Sequence, residues 1–310
     1  MTKIIVATAQ PETTRRWLGV IQPALPEFEL SAFQPGQAAC GAKYAIVWGP
    51  PAELFQVETQ LEAMFNLGAG VDAILGLPGL PDIPVYRLED AGMAPQMAEY
   101  VIHYLSLYSR GFEEYALRQK QSVWTPKQGI DYARWPVGVM GLGQLGTHVA
   151  KAVAALGYPT AGWARSPREE EGIETFHGND QFKQFLARTR VLVNLLPLTT
   201  HTRGIINSDL LRSLMPEAVV INIARGAHVV DDDLLAALDA GKVKAAVLDV
   251  FNQEPLPSDH PYWLHPKVKI TPHVAAVTLE SDAVEQISRR IRLLEEGKPA
   301  SGLVRRDTGY

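Results

Sequence analysis

A strand that runs into Gly-x-Gly-x-x-Gly and leaves through a helix admits few surroundings. Here Val137-Gly138-Val139-Met140 leads into Gly141-Leu142-Gly143-Gln144-Leu145-Gly146, and Val149, Val153 and Leu156 follow at helical intervals. Gly141 suits the tight turn, Gly143 lets backbone approach a pyrophosphate, and Gly146 allows close packing of helix on sheet, so the helix N-terminus faces an anion. Apolar runs at Val137–Met140, Pro159–Trp163, Val191–Leu195, Val219–Ile223 and Val243–Leu248 follow one another with helical stretches between most of them. Right-handed crossovers then place helices on both faces, which predicts a doubly wound parallel sheet that binds ligands at the carboxyl ends of its strands.

The first third of the chain repeats the alternation more loosely, with β-like runs at Ile4–Ala7, Tyr44–Trp48 and Val85–Leu88. A small separate α/β unit is expected. From about Pro95 to Lys120, Met97, Val101, Tyr104, Leu105 and Tyr108 recur at helical spacing, which reads as one helix passing from the first unit to the second. After Ala275 a last helix is expected to reach Glu296 and stop at Gly297 and Pro299. The pattern leaves open which unit it joins. With 310 residues, 46% of them hydrophobic and 20% charged, the chain suits two packed domains.

A formal net charge of -5 argues against a nucleic-acid partner, which calls for a basic face. The start, Met1-Thr2-Lys3 before the short run Ile4–Ala7, does not read as a signal peptide. No apolar stretch reaches the roughly 20 residues of a membrane helix, so no membrane partner is expected and a soluble, cytoplasmic protein is. The single cysteine, Cys40, can form no internal disulfide and offers no thiolate cluster for a metal; it reads as a small buried hydrophobe.

About 20 residues past the glycines, a protein selective for NAD carries an acidic residue that binds the ribose 2′-hydroxyl. Here the second strand ends Trp163-Ala164-Arg165-Ser166-Pro167-Arg168. Ala164 removes a charge that would repel a 2′-phosphate, while Arg165, Ser166 and Arg168 offer donors to one. NADPH is therefore expected, with NADH weaker. The plainer reading leaves Arg165 and Arg168 as solvated surface residues.

Three later segments pair apolar context with reactive groups. Val220-Ile221-Asn222-Ile223-Ala224-Arg225-Gly226 sets an arginine just past a strand; Asp249-Val250-Phe251-Asn252-Gln253-Glu254-Pro255 follows another; Ile270-Thr271-Pro272-His273-Val274-Ala275 presents a histidine in a loop. Arginine binds a carboxylate through two bonds, histidine supplies a proton near neutral pH, and glutamate beside it favours the imidazolium form. That is the set needed to reduce a keto acid. Singly, the histidine could be a surface residue and Glu254 a turn cap; their order after a dinucleotide fingerprint makes the catalytic reading the better one.

With these segments, and with Leu67-Gly68-Ala69-Gly70-Val71-Asp72, Asn194-Leu195-Leu196-Pro197-Leu198-Thr199, Leu248-Asp249-Val250-Phe251 and Thr271-Pro272-His273, the chain resembles the D-isomer-specific 2-hydroxy-acid dehydrogenase family over nearly its whole length. Trp48-Gly49-Pro50, Ala275-Ala276-Val277-Thr278 and the final Gly309-Tyr310 resemble a bacterial group of glyoxylate/hydroxypyruvate reductases within it. The resemblance implies an α/β protein of two doubly wound parallel-sheet domains. A Rossmann cofactor domain, residues 98–275, is inserted into a flavodoxin-like substrate domain made of residues 1–97 and 276–310, so the last helix returns to the first domain. It also implies a homodimer packed through the cofactor domain.

Residue by residue, the resemblance makes Arg225 the clamp on the substrate carboxylate and carbonyl, Glu254 the partner of the imidazole, and His273 the acid/base. Ala69 and Gly70 would hold the substrate carboxylate through backbone N–H groups, and Trp48 would wall the substrate pocket. Gly141, Gly143, Gln144, Leu145, Gly146, Arg165, Ser166, Arg168, Leu196, Pro197, Ala224 and Asp249 are the expected cofactor contacts, Asp249 orienting the nicotinamide amide. No metal is expected. The implied reaction is hydride transfer to C2 of glyoxylate, giving glycolate, or of hydroxypyruvate, giving D-glycerate, with domain closure excluding water. Competing expectations are an NAD-dependent D-lactate or D-3-phosphoglycerate dehydrogenase and a dinucleotide-sensing corepressor of the same fold. Ala164 counts against the first, the absence of a further regulatory stretch against the second, and net acidity without a long tail against the third.

Overall fold

The structure, a computed structural model, describes residues 1–127 and 129–306; the Gly309-Tyr310 ending lies outside them. It divides into two compact units, one formed by Met1–Gly92 with the chain from Thr278 on, the other by Met93–Val277. The breaks expected from sequence lie after residues 97 and 275. A break at 97 would fall inside a helix, because Met93–Ser109 is continuous and starts directly after Gly92, whose φ of 75° marks the turn.

In the first unit five parallel strands, β1 (Lys3–Thr8), β2 (Glu29–Ala32), β3 (Tyr44–Trp48), β4 (Ala63–Asn66) and β5 (Val85–Tyr86), lie in the order β2-β1-β3-β4-β5. This is the flavodoxin-like order. Residues alternate between the faces of the sheet: Ile5, Ala7, Ala45, Val47 and Met64 share one core with Leu54, Phe55 and Ile74. Phe65 packs edge-on to Tyr44 and stacks on Tyr86 with centroids 5.4 Å apart. The last helix, Glu280–Glu295, belongs to this unit and buries Ala283, Ile287 and Ile291 along one stripe. It starts at Glu280 rather than after Ala275, with Leu279 still extended and its N–H donated to Ala91 O. It ends as expected: Gly297 takes a φ of 68°, and the N–H groups of Gly297 and Lys298 close on Leu294 O and Leu293 O.

The second unit holds seven parallel strands: β6 (Val137–Met140), β7 (Thr160–Ala164), β8 (Glu174–His177), β9 (Val191–Asn194), β10 (Ala218–Asn222), β11 (Val243–Leu248) and β12 (Val268–Ile270). Their order is β12-β11-β10-β9-β6-β7-β8, with the reversal of winding between β9 and β6, the place where doubly wound sheets take a dinucleotide. Val137, Val139, Val191, Val193, Val219, Ile221 and Val247 face the helices Met93–Ser109 and Gln144–Ala155. Met140, Leu192, Val220, Ala246 and Leu248 face Phe185, Leu210, Leu234 and Leu238 on the other side. The expected single helix to Lys120 is instead two, Met93–Ser109 and Phe112–Lys120, because Gly111 at φ 68° breaks it. Leu156, expected on the buried face of the fingerprint helix, caps its end and is 45% exposed, and Cys40 is half-buried rather than buried. Among the described residues no helix is long and apolar enough to cross a membrane.

Candidate active site

The carboxyl ends of β6, β10, β11 and β12 share one edge of the second unit's parallel sheet, and every chemical segment found there leaves that edge. Past β6, Gly141 turns the chain at φ 98°, and a side chain on Gly146 would put its Cβ 1.8 Å from Gly141 O. Both glycines are therefore required by the protein's own packing. Gly143 differs: a Cβ there would meet nothing within 4 Å, so the fold leaves open space that a phosphate group fits. Gly143 and Gln144 are exposed, and the helix from Gln144 has no side-chain cap on its first N–H groups. An uncapped helix start beside an open cradle suits a pyrophosphate. Ala164 ends β7 opposite His177, so this strand ends without a carboxylate, and Arg165, Ser166 and Arg168 are exposed just beyond it. These residues fit a phosphorylated dinucleotide better than NAD.

Past β10, Arg225 is half-buried, with Nη1 donating to Ala224 O at 2.7 Å. Gly226 explains the close seat of this loop, since a Cβ there would fall 1.8 Å from the Phe251 carbonyl carbon. The arginine segment thus lies against the loop that follows β11. That loop carries Glu254, which uses both oxygens: Oε1 accepts from Phe251 N–H at 2.9 Å, and Oε2 pairs with His273 Nδ1 at 2.7 Å. With Nδ1 bound to the carboxylate, His273 Nε2 is the nitrogen left for other work, and the side chain is 48% exposed.

His273 has φ 57°, a left-handed conformation unusual outside glycine. Its loop is held by Asp249, buried at the end of β11. The main-chain oxygen of Asp249 accepts from His273 N–H at 2.8 Å. Its Oδ1 accepts from Thr271 Oγ1 and Val274 N–H, and its Oδ2 from Ala275 N–H. Tyr100 in turn contacts Thr271 Oγ1 at 2.6 Å, and burial, the first cause, pushes its phenol above the usual range, so it stays a neutral hydroxyl.

In the first unit, considered by itself, Ala69 and Gly70 are half-buried in the loop after β4. Asn66 brackets that loop, its Nδ2 donating to Gly68 O at 3.0 Å and Gly70 O at 2.8 Å. Trp48, 46% exposed at the end of β3, lies over Gly68, where a Cβ would stand 2.3 Å from its ring. Sequence reasoning had not singled out Asn66, nor given a role to Asn194, Asn222 or His228, all three fully buried. A buried asparagine ending an apolar strand was the available signal, because such an amide has to find partners in the adjoining loop. Leu196, Pro197 and Ala224 flank these residues on the same sheet edge. Among the described residues no cluster of three metal-ligating side chains occurs.

The family model described as the D-isomer specific 2-hydroxyacid dehydrogenase NAD binding domain matches residues 102–275. Glyoxylate/hydroxypyruvate reductase A of Salmonella choleraesuis (strain SC-B67) is 46% identical over 300 residues, 95% of this chain and 96% of that one. The protein of the same name from Serratia proteamaculans (strain 568) matches to the same extent. Among solved structures, the NADPH-dependent glyoxylate/hydroxypyruvate reductase of Sinorhizobium meliloti in complex with NADP and sulfate superposes with a TM-score of 0.93 at 36% identity, covering all of both chains. A D-isomer specific 2-hydroxyacid dehydrogenase of Xanthobacter autotrophicus Py2 in complex with NADPH and MES gives 0.93 at 35% identity over 100% of this chain and 99% of that one.

Proposed function

The chain belongs to the D-isomer-specific 2-hydroxyacid dehydrogenase family, and on that premise we propose that it reduces small 2-keto acids with NADPH, glyoxylate and hydroxypyruvate being the substrates. The observation that carries this reading is the 2.7 Å His273–Glu254 pair on the sheet edge that also holds the glycine cradle. Bound NADPH supplies the hydride. The protein contributes binding, charge and a proton. Gly141, Gly143, Gln144, Leu145 and Gly146 hold the pyrophosphate; Arg165, Ser166 and Arg168 receive the 2′-phosphate; Leu196, Pro197 and Ala224 line the rest of the cofactor path. Among the described residues Asp249 Oδ2 accepts one hydrogen bond, from Ala275 N–H, and so keeps a lone pair for the carboxamide.

Arg225 holds the substrate carboxylate and the carbonyl oxygen, on which negative charge grows as hydride arrives, so its stabilisation is greater in the transition state than in the ground state. His273 donates the proton from Nε2 to that oxygen while Glu254 fixes the ring through Nδ1. Ala69 and Gly70 offer backbone N–H groups to the carboxylate, and Trp48 limits the substrate side chain to a small group. The acidic balance suits a small-molecule partner and no nucleic acid, and we assign the protein to the cytoplasm without a membrane partner.

A homodimer through the cofactor unit is part of the same proposal. It is supported by the helix Phe112–Lys120, which buries none of its residues, and by exposed Phe112, Leu117, Val123 and Trp124 on one stretch of chain. The function is tested by initial rates over a panel of 2-keto acids with NADPH and NADH side by side. Turnover of glyoxylate with NADPH is expected; tight NADPH binding with no turnover of any keto acid would overturn the enzyme reading in favour of a sensor.

A further inference from the structure

His228 is a fully buried histidine that the reaction above does not use. It lies three residues after Arg225, in the short turn Gly226–His228, and its ring reaches back to the loop after β9. Two buried asparagines in register on neighbouring strands, Asn194 on β9 and Asn222 on β10, complete a network with it. Backbone groups fix the orientation of both amides. Asn222 Oδ1 accepts from Ala224 N–H at 3.3 Å and its Nδ2 donates to Arg225 O at 2.9 Å. Asn194 Oδ1 accepts from Leu196 N–H at 3.3 Å, so its Nδ2 is the atom that donates to Asn222 Oδ1 and to His228 Nδ1, both at 2.9 Å.

That leaves one protonation state for the ring. Nδ1 accepts from Asn194, and Nε2 carries the hydrogen that reaches Pro197 O at 3.3 Å. The imidazolium would set an Nδ1–H against the Asn194 amide hydrogens, and the other neutral tautomer would do the same while losing Pro197. Each polar atom of the network therefore has its role set by a neighbour, the condition under which a buried polar network specifies one arrangement.

We propose that His228, held as the neutral Nε2–H tautomer, is a positioning residue that locks the loop after β9 to the loop after β10. It thereby sets Leu196-Pro197, on the cofactor side, in register with Arg225, the substrate clamp. The inference rests on the functional reading above, because it takes Arg225 as the clamp. Fully buried, His228 acts through Asn194, Asn222 and Pro197.

The test compares His228→Leu, which removes both ring contacts, with His228→Asn, whose Oδ1 can again accept from Asn194. Wild-type turnover of glyoxylate, measured first, tests the functional reading alone. In His228→Leu, kcat/KM for glyoxylate should fall by about tenfold or more, the size of effect of one lost buried hydrogen bond with its partner left unpaired, with a raised KM for the keto acid. Affinity for NADPH, set mainly at the glycine cradle, should change by less than about threefold. His228→Asn should recover most of the lost kcat/KM. Should His228→Leu fail to fold, His228→Asn and the ¹⁵N spectrum of the histidines decide. The resonances assigned to ring 228, by their loss in His228→Asn, should have the neutral Nε2–H pattern across neutral pH. A folded His228→Leu within twofold of wild type, a folded His228→Asn no better than it, or an Nδ1–H or imidazolium signature would overturn the proposal.

Discussion

Replacing Asp249 by asparagine should release the loop that carries His273. The carboxylate is 1% exposed and accepts three hydrogen bonds, from Thr271 Oγ1 at 2.6 Å, Val274 N–H at 2.8 Å and Ala275 N–H at 2.9 Å. An asparagine in one orientation keeps the first two and turns its NH₂ toward Ala275 N–H; flipped, it turns the NH₂ toward Val274 N–H. Either way a buried backbone donor faces a donor, at a cost of about 1–3 kcal/mol. Holding His273 at φ 57° costs about 1–2 kcal/mol, the penalty of a left-handed conformation for a residue with a Cβ. The two magnitudes match, so the substitution removes what offsets the strain, and the loop relaxes with the imidazole leaving Glu254. The assay is kcat and KM for glyoxylate with the NADPH dissociation constant measured separately. A kcat at least about tenfold lower, with the cofactor still bound, is expected. An Asp249→Asn enzyme with wild-type kcat would refute the reasoning, and a loss confined to NADPH affinity would mean that the carboxylate serves the cofactor instead of the loop.

Four further outcomes follow from the same geometry. Ala164→Asp with Arg165→Ala sets a carboxylate where a 2′-phosphate is expected and removes a cation; the loss of one charge-assisted pair, about 1.5–3 kcal/mol, should move the NADPH to NADH ratio of kcat/KM toward NADH. Arg225→Lys should recover little of the kcat/KM lost in Arg225→Ala, since a point charge cannot span carboxylate and carbonyl; near-normal rates for the lysine enzyme would remove the clamp role. Glu254→Gln can satisfy only one of Phe251 N–H and His273 Nδ1–H, so kcat should drop by about tenfold to a hundredfold, against a steeper loss in His273→Ala with NADPH binding nearly intact. Glu58 is buried, which alone would raise its pKa, but the N–H groups of Cys40, Ala42 and Gly41 outweigh burial and hold it below the ordinary carboxylate value. A lowered pKa contributes stability above the unfolded value that is lost as pH falls through the folded one, so thermal melts of wild type and Glu58→Gln should converge on acidification below about pH 4.5.

The second unit was legible because its central strands are apolar on both faces. Val191–Asn194, Ala218–Asn222 and Val243–Leu248 read as near-continuous hydrophobic runs, interrupted only by Lys244 and the closing asparagines, of the kind a parallel sheet covered on both faces produces. The four strands missed lack that signature for different reasons. Glu29–Ala32 and Glu174–His177 are half-exposed edge strands with polar residues, and Val268–Ile270 is a three-residue edge. Ala63–Asn66 is buried throughout but short and without β-branched residues. At the site, residue types were readable and their supports were not. The grip of Asp249 on the histidine loop and the link from His228 to Pro197 join residues far apart in sequence, and no local pattern encodes them.

The first unit is a sheet whose closing elements come from the far end of the chain. β5 is joined by Leu303 through its bridge to Tyr86, Val304 N–H bonds Val85 O at 2.8 Å, and Arg290, 201 positions beyond Glu89, pairs with it at 2.8 Å. During synthesis at about 5–20 residues per second, the strands Lys3–Thr8 to Val85–Tyr86 wait roughly ten to forty seconds for those partners. The contiguous unit Met93–Val277 has no such wait, so it can complete its core while still tethered to the ribosome. The nascent N-terminal strands meanwhile expose the edge that Leu303 and Val304 later cover, which makes this interval the chain's window for capture by chaperones or for aggregation.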